Sequence, residues 1–438
     1  MTTAAMLGIV FVSFFVLLFI GVPIGVSIGG MCIASILLLD SSTIGPAYIY
    51  QSMYTSMDSF VLLAVPLFTL SGAIMSRGGL SKRLFDFFAY FVGGFSGGLP
   101  CAVIITCLFY GAISGSATAT VMAVGSMCVP VLLQMGYDKT FSVTTVAVAG
   151  GLGVIIPPSI PFILYGNTAQ ISVGNLFIGG ILPGCLIAAC LMIFAVWFCK
   201  YRGGEDKMKV RAYYEEVRSR GFGRLFKESF WALLAPVIIL GSIYGGIATP
   251  TEAAVISVAY GFIVCLFVYK SIKVKDLWKI TKSAAVSIAP TVYIIAVAGA
   301  FGRCMSLMGG QQFVADMFVG IGSQPLTMVA ILAFLLLLGM VMDVGPAILI
   351  LAPVFNSIAL SLNMNPIHMG VFVVCALSVG FVTPPVGVSL YVATSLPGKV
   401  PFLSIAKQAI PYIVFFIVAL LIIAFVPQLA TLFIKSGI

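Results

Sequence analysis

Charge is what this sequence has least of. Only 8% of its 438 residues are Asp, Glu, Lys or Arg, against 61% hydrophobic residues, and its mean hydropathy is +1.19. A soluble enzyme of this length would have no surface to offer water, so a polytopic membrane protein is implied. No C-x-x-C occurs, and the ten cysteines sit singly in apolar segments, which excludes a zinc ribbon and a disulfide framework. The one histidine, His368, follows Pro366 with no companion ligand, so no metal centre is expected there. No Walker loop is present and no Gly-x-Gly-x-x-Gly stands in a strand context, so ATP is not the energy source and no organic cofactor is expected. The net charge of +9 is not a nucleic-acid signal, because the basic residues collect in short segments between apolar runs. The first apolar run has no basic region before it and reads as a retained span rather than a signal peptide.

What is present is a repeated interruption of apolar sequence. Gly111-Ala-Ile-Ser-Gly-Ser-Ala-Thr-Ala-Thr120 separates two arms, Leu99 to Tyr110 and Val121 to Met135. A full crossing takes about 20 residues, so each arm is too short, and the pair predicts a hairpin that enters the bilayer and turns back. Asp343-Val-Gly-Pro346 lies between arms Thr327 to Met342 and Ala347 to Leu362 in the same way. At a constant offset of 227, Gly153, Pro157 and Pro158 fall on Gly380, Pro384 and Pro385, and Phe91, Val92 and Gly93 fall on Phe318, Val319 and Gly320. The Pro pairs predict breaks in the spans Phe141 to Gln170 and Val371 to Leu396. Internal duplication follows.

The expected division is scaffold 1–75, surface arm 76–95, a transport half-domain with hairpin 1 over 96–200, and a cytoplasmic polar loop 201–227. The second half repeats it as scaffold 228–308, arm 309–322 and a transport half-domain with hairpin 2 over 323–438. Within these, Ile44 to Met57 and Lys270 to Lys282 are expected as interfacial helices, and Pro290 to Met305 as a span. If Lys200 to Lys227 is cytoplasmic, every Lys and Arg except Arg303 and Lys435 lies on that side, as positive-inside bias demands. The first hairpin then opens from the cytoplasm and the second from outside. The fold class expected is thus an all-α polytopic membrane protein of two inverted-topology repeats, each with a re-entrant helical hairpin and a Pro-Pro-broken helix. Such repeats are how many secondary transporters build a midplane site.

At the first tip Ser114, Gly115, Ser116, Thr118 and Thr120 offer hard neutral oxygens of the kind sodium accepts. The returning arm presents a positive helix N-terminus to an anion. The competing reading is that small residues permit close helix packing. At the second tip an acid, Asp343, lies deep in an apolar stretch, which is costly and by default functional; the alternative is a helix cap ahead of Gly345-Pro346. Pro157-Pro158-Ser159 and Thr383-Pro384-Pro385 free carbonyls in mid-span, and an ion beside each tip would engage them. A passenger is expected between the same tips, against Ser116, Thr118, Thr120, Pro158, Ser159, Gly345 and Pro385. Thr249-Pro-Thr-Glu252 reads as a capping box rather than a site, and Asp58 as a cap or interfacial anchor. A channel would need a continuous polar stripe along several spans, and polarity is seen only at tips and breaks. An intramembrane enzyme would need a partner acid or histidine for Asp343, and the matching half has none.

Ser114-Gly-Ser-Ala-Thr-Ala-Thr120, Gly136-Tyr-Asp138, Gly153-Val-Ile-Ile-Pro-Pro-Ser-Ile-Pro161, Thr249-Pro-Thr-Glu-Ala253, Gly339-Met-Val-Met-Asp343 and Thr383-Pro-Pro-Val-Gly387 resemble the large membrane (M) subunit of tripartite ATP-independent periplasmic (TRAP) transporters. The resemblance runs nearly end to end. It implies a sodium-driven elevator in a bacterial or archaeal cytoplasmic membrane, with a small membrane (Q) subunit and a periplasmic substrate-binding (P) protein as partners. It implies an organic anion as substrate: a dicarboxylate, a sialic acid or another carboxylate or sulfonate. Sodium sites would lie where each tip meets its break, at Ser114, Gly115, Ser116, Gly153 and Pro157 in one half and Asp343, Gly345, Gly380 and Thr383 in the other. Many members carry Gly-Pro where this chain has Ala117-Thr118. The alternative function is a stand-alone sodium/carboxylate symporter or exchanger that uses no binding protein.

Overall fold

A computed structural model describes residues 2–39, 45–202 and 205–434. Ile44 and Lys435, used in the expectations above, lie outside them. Among the described residues every regular element is helical, and eight are long and apolar enough to cross a bilayer.

Helices α1 (Thr3–Phe19) and α2 (Ile24–Leu38) are parted at Gly21-Val-Pro23, where Gly21 takes φ +93°, a conformation that costs glycine little. After α3 (Pro46–Met57) and a 3-10 turn over Phe60–Leu63 comes α4 (Ala64–Arg77). The next elements are α5 (Leu80–Val92), α6 (Gly98–Ser114), α7 (Ala117–Gln134), α8 (Lys139–Ala149), α9 (Ile160–Ala169) and α10 (Val173–Arg202). Then come α11 (Lys207–Ser219), α12 (Phe222–Tyr244), α13 (Pro250–Ile263) and α14 (Val274–Leu307). The chain goes on through α15 (Gly310–Val319), α16 (Gln324–Gly339), α17 (Val344–Ser361), α18 (Pro366–Gly380) and α19 (Val388–Ala393). It finishes with α20 (Phe402–Phe425) and α21 (Gln428–Thr431).

The order arm, hairpin, broken helix and long closing helix occurs twice, as α5 to α10 and as α15 to α20. The return arms α7 and α17 are both 18 residues long, with starts and ends 227 positions apart. A separate wall is made by α2, α3, α4, α13 and α14, which pack on one another. The hydroxyls of Ser71 and Ser257 meet at 2.5 Å between α4 and α13, a polar tie of the kind that holds helices together where apolar packing has little driving force. The expected capping box at α13 is present: Thr249 Oγ1 accepts from Glu252 N at 3.3 Å, and Glu252 Oε2 accepts from Thr249 N at 2.7 Å.

Two expectations fail for physical reasons. Among the described residues, which leave out 203–204, the polar stretch 201–227 is mostly helix rather than loop. Asp206 caps α11 by accepting from Met208 N and Lys209 N, Arg211 pairs with Glu215 one turn on at 2.9 Å, and Val210 and Val217 are buried. Polarity there marks a solvated helix face. Beyond it, Arg220 bridges Asp86 of α5 at 2.9 Å and Glu228 of α12 at 2.6 Å. Nor does Pro290 divide a surface helix from a span: α14 runs through it for 34 residues, with α2, α3, α4 and α17 packed along its length. Neighbouring helices can hold a proline-containing membrane helix in line.

Candidate transport site

Hairpin 1 turns where α6 ends. Gly115 adopts φ +61°, and its N–H donates to Gly111 O at 2.8 Å, closing the helix in a left-handed cap. Ser116 then caps α7, its Oγ accepting from Ala119 N. Three oxygens converge at this turn. Thr120 Oγ1 donates to Ser116 O at 2.8 Å and lies 3.0 Å from Ser114 Oγ, which is 3.3 Å from Ser116 O. On the outer side of the tip, Ser116 Oγ lies 3.3 Å from Thr118 Oγ1.

The break between α8 and α9 sits directly behind this tip. It consists of a 3-10 turn over Gly150–Val154 and a cis Pro157-Pro158 bond. A Cβ on Gly153 would stand 2.5 Å from Thr120 Oγ1 and 2.9 Å from Ser116 O, and one on Gly111 would stand 2.5 Å from Gly153 Cα. Backbone touches backbone because no side chain intervenes. Hairpin 2 meets its own break in the same manner. A Cβ on Gly339 would lie 3.1 Å from Gly380 Cα, and one on Gly380 would strike the Gly339 carbonyl. Asp343 is the N-cap of α17, its Oδ1 accepting from Val344 N at 2.7 Å, so the capping reading of this residue describes its present bond. The two breaks differ in detail: Thr383 Oγ1 is turned back onto Val379 O at 2.7 Å.

Both tips line one cavity of about 530 Å³. Ser114, Gly115, Ser116 and Thr118 face it from hairpin 1, and Asp343 and Gly345 from hairpin 2. The other expected site residues stand behind it. Thr120, Gly153, Pro157 and Pro158 are buried, and Gly380 packs against Gly339. Ser159 is fully buried; its hydroxyl donates to Val154 O and accepts from Phe162 N. It closes the break and caps α9. Thr383, Pro384 and Pro385 do not border the cavity. His368 is a buried tie from α18 to Ile423 O of α20 at 2.8 Å, and no cluster of His, Cys, Asp or Glu among the described residues could hold a metal ion.

The opposite wall was not anticipated. Thr69, Ser76 and Arg77 of α4 and Ser283, Ser287 and Thr291 of α14 face the tips. The three α14 residues recur every fourth position, so they share one helix face. That spacing was readable in the sequence, and it corrects the expectation that polarity is confined to tips and breaks. A second polar cavity, of about 580 Å³, lies past the same helices and is lined by Asp58, Asn167, Gln170, Arg303 and Gln311. On α14 the lining passes from Thr291 in the first cavity to Ile295 in the second, and on α17 from Gly345 to Leu349. Four residues of helix are about 6 Å. The partition is one turn thick.

The return arms α7 and α17 both begin at this cavity, so two helix N-termini direct their positive ends into it. Asp343 and Arg77 supply its charged side chains.

Comparison with known proteins agrees with this architecture. The family described as "Tripartite ATP-independent periplasmic transporter, DctM component" matches residues 11–429. The isethionate TRAP transporter permease protein DctMQ of Oleidesulfovibrio alaskensis is 38% identical over 98% of this chain, which spans 66% of that relative's length. The C4-dicarboxylate TRAP transporter large permease protein DctM of Pseudomonas aeruginosa is 35% identical over 86% of this chain and 87% of its own. The sialic acid TRAP transporter large permease protein SiaM of Vibrio cholerae is 32% identical over 95% of each. Among solved structures, the Alcanivorax borkumensis YdaH transporter superposes with TM-score 0.61 over 88% of this chain and 89% of its own, at 16% identity, a likeness of fold alone. With eight apolar helices of crossing length, the chain is a multi-pass membrane protein and belongs to the DctM family of tripartite ATP-independent periplasmic transporters, as a large membrane subunit.

Proposed function

We propose that the chain carries an organic anion into the cell in exchange for the free energy of a sodium gradient. In this reading it works in a bacterial or archaeal cytoplasmic membrane with a small Q subunit and a periplasmic P protein that delivers the anion. The relatives are named for isethionate, C4-dicarboxylates and sialic acid, so the substrate class is a sulfonate or carboxylate. The two halves are inverted repeats, and the hairpins with their broken helices move as an elevator against the wall of α2, α3, α4, α13 and α14.

The observation that carries the reading is that two tips far apart in sequence line one cavity and each rests on its own helix break. Unwound carbonyls and hydroxyls are the ligands that broken-helix transporters offer to sodium. Ser114 Oγ, Ser116 O and Thr120 Oγ1 lie within 3.3 Å of one another. A cation added there is held by these three oxygens and screens the anion's charge. On the other side the ion is held near Asp343, Gly345 and the Gly339–Gly380 contact. The anion sits between the tips, facing the N-termini of α7 and α17, and its binding is strongest when both ions are in place. The one-turn partition is the barrier that the moving hairpins cross. The test is reconstitution in proteoliposomes with the Q and P proteins: uptake of isethionate, fumarate or sialic acid must require an inward sodium gradient and all three components. Uptake of one of them that persists with potassium replacing sodium contradicts the proposal.

A further inference from the structure

The wall facing the hairpin tips carries an unclaimed set of polar groups. Among the described residues no hydrogen bond engages the hydroxyls of Ser283, Ser287 or Thr291, whereas Ser35, Thr106 and Thr145 each donate to the carbonyl one turn back in their own helix. Ser283 and Ser287 are exposed and Thr291 half-buried. They form a line of uncommitted hydroxyls along α14, from its basic end to the level of the tips.

Arg77 stands across from this line, in the last turn of α4. Arg220 and Arg224 sit on carboxylates and Arg83 over the Tyr269 ring. Arg77, exposed in the cavity mouth, has no such partner among the described residues, a condition it shares with Arg303 of the second cavity. Among the described residues no carboxylate lies within 4.0 Å of Arg77, and no ring lies beneath it. A guanidinium is a planar fork of donors matched to carboxylate and sulfonate oxygens. An arginine without a protein partner, beside free hydroxyls in a wet cavity, is suited to an anion that arrives and leaves.

We propose that Arg77 with Ser283, Ser287 and Thr291 forms a second anion subsite, on the stationary wall and on the basic-face side of the tips, which takes a sulfonate or carboxylate as it is released. This rests on the reading of the chain as an anion transporter. The subsite exists only for a cavity open to the basic face, because the tips carry the passenger away from the wall in the opposite state. It gives the release step a full positive side-chain charge, which the tips, with helix N-termini and an acid but no basic side chain, lack.

The probe is a charged thiol reagent, which needs neither gradient nor partner. Ser287→Cys is introduced together with Cys185→Ser, which removes the exposed native thiol; the other nine cysteines are buried. The anionic 2-sulfonatoethyl methanethiosulfonate and the cationic 2-trimethylammonioethyl reagent are compared by reaction rate from the basic face. A cleft lined by one sign of charge concentrates a counter-ion about tenfold or more; with Arg77 exposed and Asp343 in the same cavity, the share due to Arg77 is about threefold. The anionic-to-cationic rate ratio is therefore expected to fall about threefold with Arg77→Gln and to be largely retained with Arg77→Lys. The same ratio at Ser306→Cys, in the other cavity and measured from the opposite face, is expected to stay unchanged, since that thiol lies behind the partition and beyond the screening distance of Arg77. A ratio at position 287 that ignores Arg77→Gln overturns the subsite. So does an equal fall at positions 287 and 306, which would mark a general disturbance. The assay answers for Arg77 even if sodium-driven uptake fails, so the two proposals fall separately.

Discussion

Gly153 is where the helix break meets the oxygens of the hairpin 1 tip, and replacing it tests whether that contact is an ion site or only packing. Its φ lies outside the left-handed region, so alanine there brings no conformational strain. The added Cβ would stand 2.5 Å from Thr120 Oγ1 and 2.9 Å from Ser116 O, and the tip must move away by several tenths of an ångström. Overpacking of this kind costs about 1–3 kcal/mol. Those two atoms are two of the three oxygens assigned to sodium, so the displacement also weakens the ion, and each 1.4 kcal/mol lost there raises the apparent Kd about tenfold. The assay is thermal unfolding of the purified subunit across a sodium titration at constant ionic strength. An ion that binds only the folded state stabilises it by about 2.7 kcal/mol at a hundredfold excess over Kd. Gly153→Ala should lose about 1–2 kcal/mol of that sodium-dependent part, beyond any fall seen in potassium. If the variant is equally destabilised in sodium and in potassium, the contact is packing and the ion assignment at hairpin 1 is refuted.

Three further outcomes are expected. Asp343→Ala should abolish sodium-dependent uptake while leaving membrane insertion intact; unchanged uptake with unchanged sodium dependence would remove the acid from the mechanism. Ser159→Ala should cost about 1–3 kcal/mol of stability, because Val154 O and the α9 cap lose their hydroxyl, with no change in half-saturation for the anion; a raised half-saturation would return Ser159 to the substrate site. Glu205 accepts from Gly97 N at 3.1 Å and Tyr137 Oη at 2.9 Å, and from Ser96 Oγ, so it joins both ends of hairpin 1 to the start of α11. Glu205→Ala should therefore speed amide exchange over 93–98 and 135–138, and protection unchanged in both segments would count against that tie.

Much of this fold could be read from helix-breaking residues. Glycine and proline act locally, through φ and a missing donor, so the turn at Gly115, the breaks at Pro157-Pro158 and Pro384-Pro385, and the offset of 227 are visible without knowing what packs where. Polar composition misled where its meaning depends on neighbours. Lys207–Ser219 folds as helix with its charges along one face, and Pro290 is carried inside α14 because other helices brace it. The site divides along the same line. Ser114, Ser116, Thr118 and Asp343 stand out as polar groups in apolar surroundings, and Gly345 as a turn residue beside one; all five line the cavity. Arg77 was read only as a mark of the basic side, since nothing in its local sequence says that α4 brings it opposite two hairpins distant in the chain. Ser159 is the converse: a hydroxyl beside a break invites a ligand, but its partner is the carbonyl that the break itself frees.

The central claim is that the two tips share a site which is reached alternately from the two membrane faces. Ser116→Cys and Gly345→Cys, each with Cys185→Ser, can be labelled with a membrane-impermeant thiol reagent from one face at a time, in the presence and absence of sodium and the P protein. The account predicts that both positions are reached from the basic face, that both become reachable from the opposite face when the carrier turns over, and that the two change together. Permanent access to both from a single face, or access to one position from each face that never exchanges, would contradict it.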